Sequence, residues 1–244
     1  DIIGVTAGAG LAATAMIVIA PAFAMGAQLG IYALPIAAFI GALVAALIVF
    51  ALSWQPGVGT SPIRMILAGV AVSAMVGGFQ GFLMVYFSDR VQGVVLWLAG
   101  SLNTRSWHHV MLVGPFTMAG LLLSATLLRP LNLLQLGEPV AHSLGIHVNR
   151  TRIISIIAAS LLTGAAVCAV GVIGFVGLVI PHIMRMTVGH QHGRLLPASL
   201  LAGAVMVLWA DIAARSLGEM PVGVLTAMIG GPYFVALLYG RKLV

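Results

Sequence analysis

The residues with the means to do chemistry sit in three places. The first is the connection RPLNLLQLGEPVAHSLGIHV, residues 129–148, which is too long for a tight turn and yet amphipathic. Leu131, Leu134 and Leu136 would give a first short helix an apolar side, and Gly137 with Pro139 would break it. Val140, Ala141 and Leu144 would give a second helix its own apolar side, ended by Gly145. Such a pair can dock into a groove on a partner or lie on a lipid surface. The second place is Asp211 and Arg215, four apart and therefore on one helical face, where they can pair. An ionisable residue in an apolar span is a functional hypothesis by default, whereas a paired one at a span end can be structural. The third is GEMPVGVLTAMIGGPYF, residues 218–234, where Pro221, Gly223, Gly230, Gly231 and Pro232 crowd one apolar stretch. That composition predicts an irregular helix of the kind that lines a cavity.

Other groupings are weaker. Among seven histidines, His190 and His192 in GHQHGR and the adjacent His108 and His109 have no accompanying carboxylate or thiolate cluster, so no metal site is expected. The single cysteine, Cys168, lies inside an apolar stretch and reads as a packing residue. No residue set supports nucleophilic catalysis, and the phosphate-binding pattern GxxxxGK[ST] does not occur. The chain is expected to be no enzyme, and any ATP chemistry must come from a partner.

The elements that must position these residues follow from composition. Of 244 residues, 61% are apolar and 7% charged, with a mean hydropathy of +1.15. A soluble domain carries roughly a quarter charged residues, so this is an all-α, polytopic helical membrane protein. Apolar stretches fall at 2–20, 34–53, 65–87, 109–128, 152–171, 172–188, 197–214 and 222–239, which gives eight expected spans and no room for a separate soluble domain. The sixth, with Gly174, Gly177 and Pro181, is expected to be kinked or broken. Strand patterning is absent. Small residues in GVTAGAGLAA (4–13), AGVAVSAMVGG (68–78) and GVIGFVGLVIP (171–181) allow close helix approach, which serves bundle packing or lines a pathway.

Charge gives orientation. If 129–151 is cytoplasmic, Arg64, Arg129, Arg150, Arg152, Arg185, Arg194, Arg241 and Lys242 all face inward and only Arg90, Arg105 and Arg215 face outward, a positive-inside bias with both chain ends inside. The formal charge of +6 is scattered among apolar stretches and makes no nucleic-acid patch. The opening at Asp1, without Met or a signal peptide, reads as a truncation.

Three blocks now carry a resemblance: RPLNLLQLGEPVAHSLGIHV, GVIGFVGLVIPHIMRMTVG (171–189) and LLPASLLAGAVMVLWADIAARSLGEMPVGVLTAMIGGPYFVALLYGRK (195–242). In order and spacing the chain resembles the FecCD-type permeases of bacterial ABC importers for iron-siderophores, haem and cobalamin, and its opening DIIGVTAGAG is similar to the start of that family's third span. The resemblance implies a ten-span subunit with two N-terminal helices missing here, residues 1–244 forming one permease domain in the bacterial cytoplasmic (inner) membrane. It implies a second permease subunit (a homodimer or a fused half), two cytoplasmic ATPase subunits carrying ATP and Mg, and a periplasmic or lipid-anchored binding protein. The chain itself would bind no cofactor.

By position, Asn132, Leu136, Gly137, Glu138, Ser143, Leu144 and Gly145 correspond to the family's ATPase-coupling helices, with His142 replacing a residue that is often basic. Arg215 matches an arginine that docks the binding protein, with Asp211 orienting it. The pathway would be lined partly by 73–86 and 222–235, including Gly230, Gly231 and Pro232, with Thr6, Thr60 and Ser61 near a cytoplasmic constriction. Gln191 and Gly193 stand where the family commonly has an acid and a base. The expected function is the permease subunit of an iron-siderophore importer, with haem or cobalamin as alternative cargo. An ion-gradient transporter would need carboxylates or broken helices at mid-membrane, and no Asp or Glu falls at the middle of an expected span. A zinc- or manganese-type ABC permease would need the histidines as ligands.

Overall fold

The computed structural model describes residues 4–19, 27–55, 59–103, 105–218 and 220–240. Arg241, Lys242 and Glu219 lie outside the described residues. The chain divides into two compact units, one formed by the residues up to Leu98 together with Arg105–Gly171, the other by Ala99–Thr104 with Val172–Val244.

The first unit contains α1 (Val5–Ile19), α2 (Ala27–Ser53), α3 (Pro62–Tyr86), α4 (Val91–Leu98), α5 (Trp107–Thr126), α6 (Leu128–Leu134), α7 (Glu138–Ser143) and α8 (Val148–Val170). α1 crosses α2 through very small residues, Gly8 and Ala12 on α1 against Gly41 and Ala45 on α2, while Ala9 and Ala13 on α1 and Ala38 and Ala42 on α2 are also fully buried. Gly8 and Gly41 face each other so closely that a Cβ on Gly8 would sit 2.4 Å from the Gly41 carbonyl oxygen. Close backbone approach of this kind is what small residues permit in lipid, where dispersion rather than hydrophobic exclusion holds helices together. On α8, Gly164 receives the Phe39 ring of α2, and that ring lies tilted against Phe116 of α5 with centroids 4.5 Å apart. Thr14, buried on α1, donates to the Gly10 carbonyl at 2.7 Å, so its hydroxyl needs no outside partner. Arg90 donates to the Val18 carbonyl and so satisfies one orphan acceptor at the end of α1.

The second unit packs α9 (Val176–Val188), α10 (His192–Ser216) and α11 (Val222–Gly240) on one another, together with the irregular piece at 99–103. Ala210, Ala214 and Val222 form its core with Leu102, Ile173 and Leu225. The Gly223 N–H donates to the Gly100 carbonyl at 3.2 Å, tying the start of α11 to that piece.

Each of the eight apolar stretches is mostly helical over its described residues. Among the described residues five helices are long and apolar enough to cross a membrane, at Tyr32–Ser53, Ile63–Tyr86, Trp107–Thr126, Val148–Val170 and His192–Ser216. Val5–Ile19, Val176–Val188 and Val222–Ala236 are shorter apolar helices. Large apolar side chains such as Leu47, Phe82 and Leu201 are exposed along these helices, as a bilayer solvent allows and water does not.

The sixth stretch is broken as expected, though at its start rather than at Pro181: residues 171–174 are not helical, and α9 begins only at Val176 and continues through Pro181. The structure departs from the sequence reading in two details. The irregular helix expected at 222–239 is instead the continuous α11, in which Pro232 removes one backbone donor without ending the helix. Helix α4 was not anticipated, since eight residues are too short to register as a span; Val94 and Trp97, three apart, bury its inner side. The all-α reading holds, with one two-residue antiparallel pairing between β1 (Trp54–Gln55) and β2 (Gly59–Thr60) among the described residues.

Candidate functional site

The segment between α5 and α8 is built as a rigid two-helix knob. Helix α6 ends in tight i to i−3 bonds, Leu136 N–H to the Leu133 carbonyl and Gly137 N–H to the Leu134 carbonyl, both at 3.1 Å. The chain then reverses at Gly137, whose φ of 101° and ψ of 151° belong to a region used essentially by glycine alone. Glu138 and Pro139 open α7, the proline sitting where a helix needs no donor. At its other end Gly145 N–H donates to the His142 carbonyl and Ile146 N–H to the Ala141 carbonyl, each at 3.0 Å, with Gly145 at φ 81°. This pair of bonds is a Schellman closure, and it satisfies the last carbonyls of α7.

Two contacts brace the knob. Ala141 is fully buried, and the Glu138 carboxylate accepts from the Arg152 guanidinium at the start of α8. Asn132 is half-buried on α6, while Ser143 donates to the Val140 carbonyl at 2.8 Å and remains exposed. Leu136 and Leu144 are 61% and 55% exposed, with Val140 beside them. The expectation that Val140, Ala141 and Leu144 share one apolar side is corrected: α7 is under two turns long, and Ala141 is buried while Val140 and Leu144 are exposed. The result is a stiff projection tipped with apolar groups, suited to a groove on another protein.

Asp211 and Arg215 pair as their spacing requires. Arg215 Nε donates to Asp211 Oδ2 at 2.8 Å in the last turns of α10, with Arg215 56% exposed and Asp211 21%. A pair this open contributes only about 0.3–0.5 kcal/mol to stability. Its larger effect is to fix where the guanidinium points.

Of the expected pathway residues, Thr6 is half-buried in the first turn of α1. Ser61 precedes α3 in extended backbone, its carbonyl accepting from Met65 N–H at 3.0 Å and its hydroxyl making no cap. Thr60 pairs through its backbone with Trp54. Gly230 is buried on α11 against Phe175, Gly231 lies beside it and Pro232 is exposed. Among the described residues no group of three or more His, Cys, Asp or Glu is placed to hold a metal ion.

Two residues escaped the sequence reading. Arg152 lies 14 positions from Glu138, a separation that no local pattern ties together. Phe175 takes a backbone conformation rare outside glycine, and only its setting in GVIGFVG hinted at anything unusual.

Apolar helices long enough to cross a membrane, with an exposed two-helix segment between α5 and α8, mark a multi-pass helical membrane protein. The chain belongs to the FecCD transport family, which it matches over residues 1–240. It is 40% identical to the hemin transport system permease of Yersinia pestis, covering 99% of this chain and 72% of that one. It is 39% identical to the cobalamin import permease of Halobacterium salinarum, covering 99% and 64%, and 38% identical to the Fe(3+)-citrate import permease YfmE of Bacillus subtilis, covering 98% and 70%. The chain thus spans roughly two thirds of these relatives' lengths. A solved structure described as an inward-facing, metal-chelate type ABC transporter matches with a TM-score of 0.84 at 33% identity, covering 98% of this chain and 75% of that one. The chain is therefore a non-catalytic ABC importer permease of the cytoplasmic (inner) membrane, working with separate ATPase subunits and a substrate-binding protein.

Proposed function

We propose that this permease carries iron-siderophore complexes through a path formed with a second permease subunit, either an identical copy or a fused half. The observation that carries the coupling half of this reading is the knob itself, a braced projection with Leu136 and Leu144 exposed at its tip. Asn132, Leu136, Gly137, Glu138, Ser143, Leu144 and Gly145 enter the cleft of one of two cytoplasmic ATPase subunits. ATP and Mg reside on those subunits, and the permease binds no cofactor. Closure of the ATPase pair moves the knob as a lever and changes which side of the membrane the path faces. Arg215, oriented by Asp211, docks an acidic patch of a periplasmic or lipid-anchored binding protein. Thr6, Thr60 and Ser61 belong to the cytoplasmic constriction, and Gly230, Gly231 and Pro232 to the lining of the path.

The relatives' cargoes support an iron chelate or a similar large organic ligand. Haem is the second reading, favoured by the 40% identity to the hemin permease. The test is reconstitution of the full-length permease with its ATPase and binding protein in vesicles, followed by uptake of a ferric siderophore, haem and cobalamin side by side. ATP-dependent accumulation of the ferric siderophore alone supports the first reading; accumulation of haem alone replaces it with the second.

A further inference from the structure

Among the described residues Phe175 is the one residue other than glycine with a positive φ, 66°. A bulky aromatic side chain there is a steric outlier, and such outliers persist only where their surroundings hold them. Here the surroundings can be named. Phe175 caps α9, its carbonyl accepting from Leu178 N–H at 3.0 Å and Val179 N–H at 2.9 Å. Its side chain rests on Gly230 of α11, where a Cβ would come within 2.3 Å of Phe175 Cβ and 2.6 Å of Cγ. The seat exists because position 230 is glycine. Relaxing Phe175 to an ordinary negative φ turns its Cβ in another direction and lifts the ring out of that seat.

We propose that Phe175 is a strained latch between α9 and α11, seated on Gly230 in one transport state and released to relaxed backbone in the other. The inference rests on the reading of α11 as a pathway helix. Seating gains the ring's packing on α11 and keeps the strained φ; release loses the packing and relieves the strain. The two states are thereby kept close in energy, which lets ATP binding shift them. Phe175 acts through the position of α11 and is a positioning residue.

The experiment uses the full-length permease with its ATPase and binding protein in vesicles. Spin labels replace Met186 on α9 and Met228 on α11, both exposed, in a Cys168→Ala background, and their distance distribution is measured without nucleotide and with ATP. Two populations that exchange on ATP binding are expected for the parent. Gly230→Ala fills the seat and should abolish the seated population. Phe175→Gly accepts the same φ without strain, so the subunit should fold and assemble as the parent does, while ATP hydrolysed per substrate transported rises about tenfold. A single unshifted population in the parent, or parental distances and coupling in both variants, overturns the latch. Should Gly230→Ala fail to fold, Phe175→Gly and Phe175→Asn decide alone, since asparagine tolerates positive φ and keeps no ring. If the parent carries no cargo, the functional reading fails, and the distance distributions still judge the latch.

Discussion

Glu138 at the first turn of α7 is ion-paired with Arg152 at the start of α8, across 14 residues that include the whole turn between the two helices. The pair joins the projecting knob to the shaft of an apolar helix. With Glu138 58% and Arg152 21% exposed, solvent screens the attraction, and the direct stability gain is at most about 1 kcal/mol. In the proposed coupling mechanism its effect is larger than its energy, because the pair is what ties the movement of the knob to α8.

Glu138→Gln should therefore lower the melting temperature little while reducing binding-protein-stimulated ATP hydrolysis and transport together. The charge-exchanged double variant, Glu138→Arg with Arg152→Glu, should recover part of the loss. Parallel thermal melts and vesicle transport assays check both, and full transport by Glu138→Gln would remove the brace from the coupling mechanism.

The two glycines that shape the knob should not tolerate change equally. Gly145 occupies the left-handed region that asparagine also visits, so Gly145→Asn should be mild. Gly137 has a combination of φ and ψ that strains any side chain by about 1–3 kcal/mol. Gly137→Ala should weaken association with the ATPase by roughly tenfold, the equivalent of about 1.4 kcal/mol. Pull-down of the ATPase at graded concentrations gives the order, and equal affinities would show that the turn is not held rigid.

Arg215→Glu should reduce affinity for the binding protein while leaving the permease assembled with its ATPase. Reversing a charge at the edge of an interface sets like charges together and costs about tenfold or more. Asp211→Asn should do less, because it frees the guanidinium without removing it. Titration calorimetry on the purified complex measures both, and an unchanged affinity for Arg215→Glu rejects the docking role.

What could be read from the sequence followed from local rules. Apolar run length gave the helices, the four-residue spacing of Asp211 and Arg215 gave their pair, and Gly137, Pro139 and Gly145 marked the ends of α6 and α7. What escaped depended on distant partners or on backbone geometry. Arg152 meets Glu138 only because the chain doubles back, and α7 is too short for its pattern to say that Ala141 faces inward while Val140 and Leu144 face out. Phe175 needed the torsion angle itself, and Pro232, a helix breaker by type, sits within α11 without interrupting it. The roles of Thr6, Thr60 and Ser61 came from resemblance, and no local chemistry distinguishes those hydroxyls from others.

The α1–α2 crossing offers the sharpest test of what holds the first unit together. Gly8 and Gly41 are in backbone contact, and a Cβ on Gly41 would meet the Gly8 carbonyl oxygen at 2.5 Å and the Ala12 side chain at the same distance. Neither obstacle is the flexible end of a long side chain, so the helices themselves must separate. Separation withdraws Ala12 from Gly41 and Ala45 from Gly8, and in lipid no hydrophobic force compensates for the dispersion lost. Gly41→Leu should therefore destabilise the permease by at least about 3 kcal/mol, in the range of severe overpacking, and abolish its recovery as an assembled complex. Leu47→Ala, on the exposed side of the same helix, should change the melting temperature by under about 2 °C. Thermal unfolding in detergent compares the two, and equal losses would mean that α2 is held by its outer face rather than by this crossing.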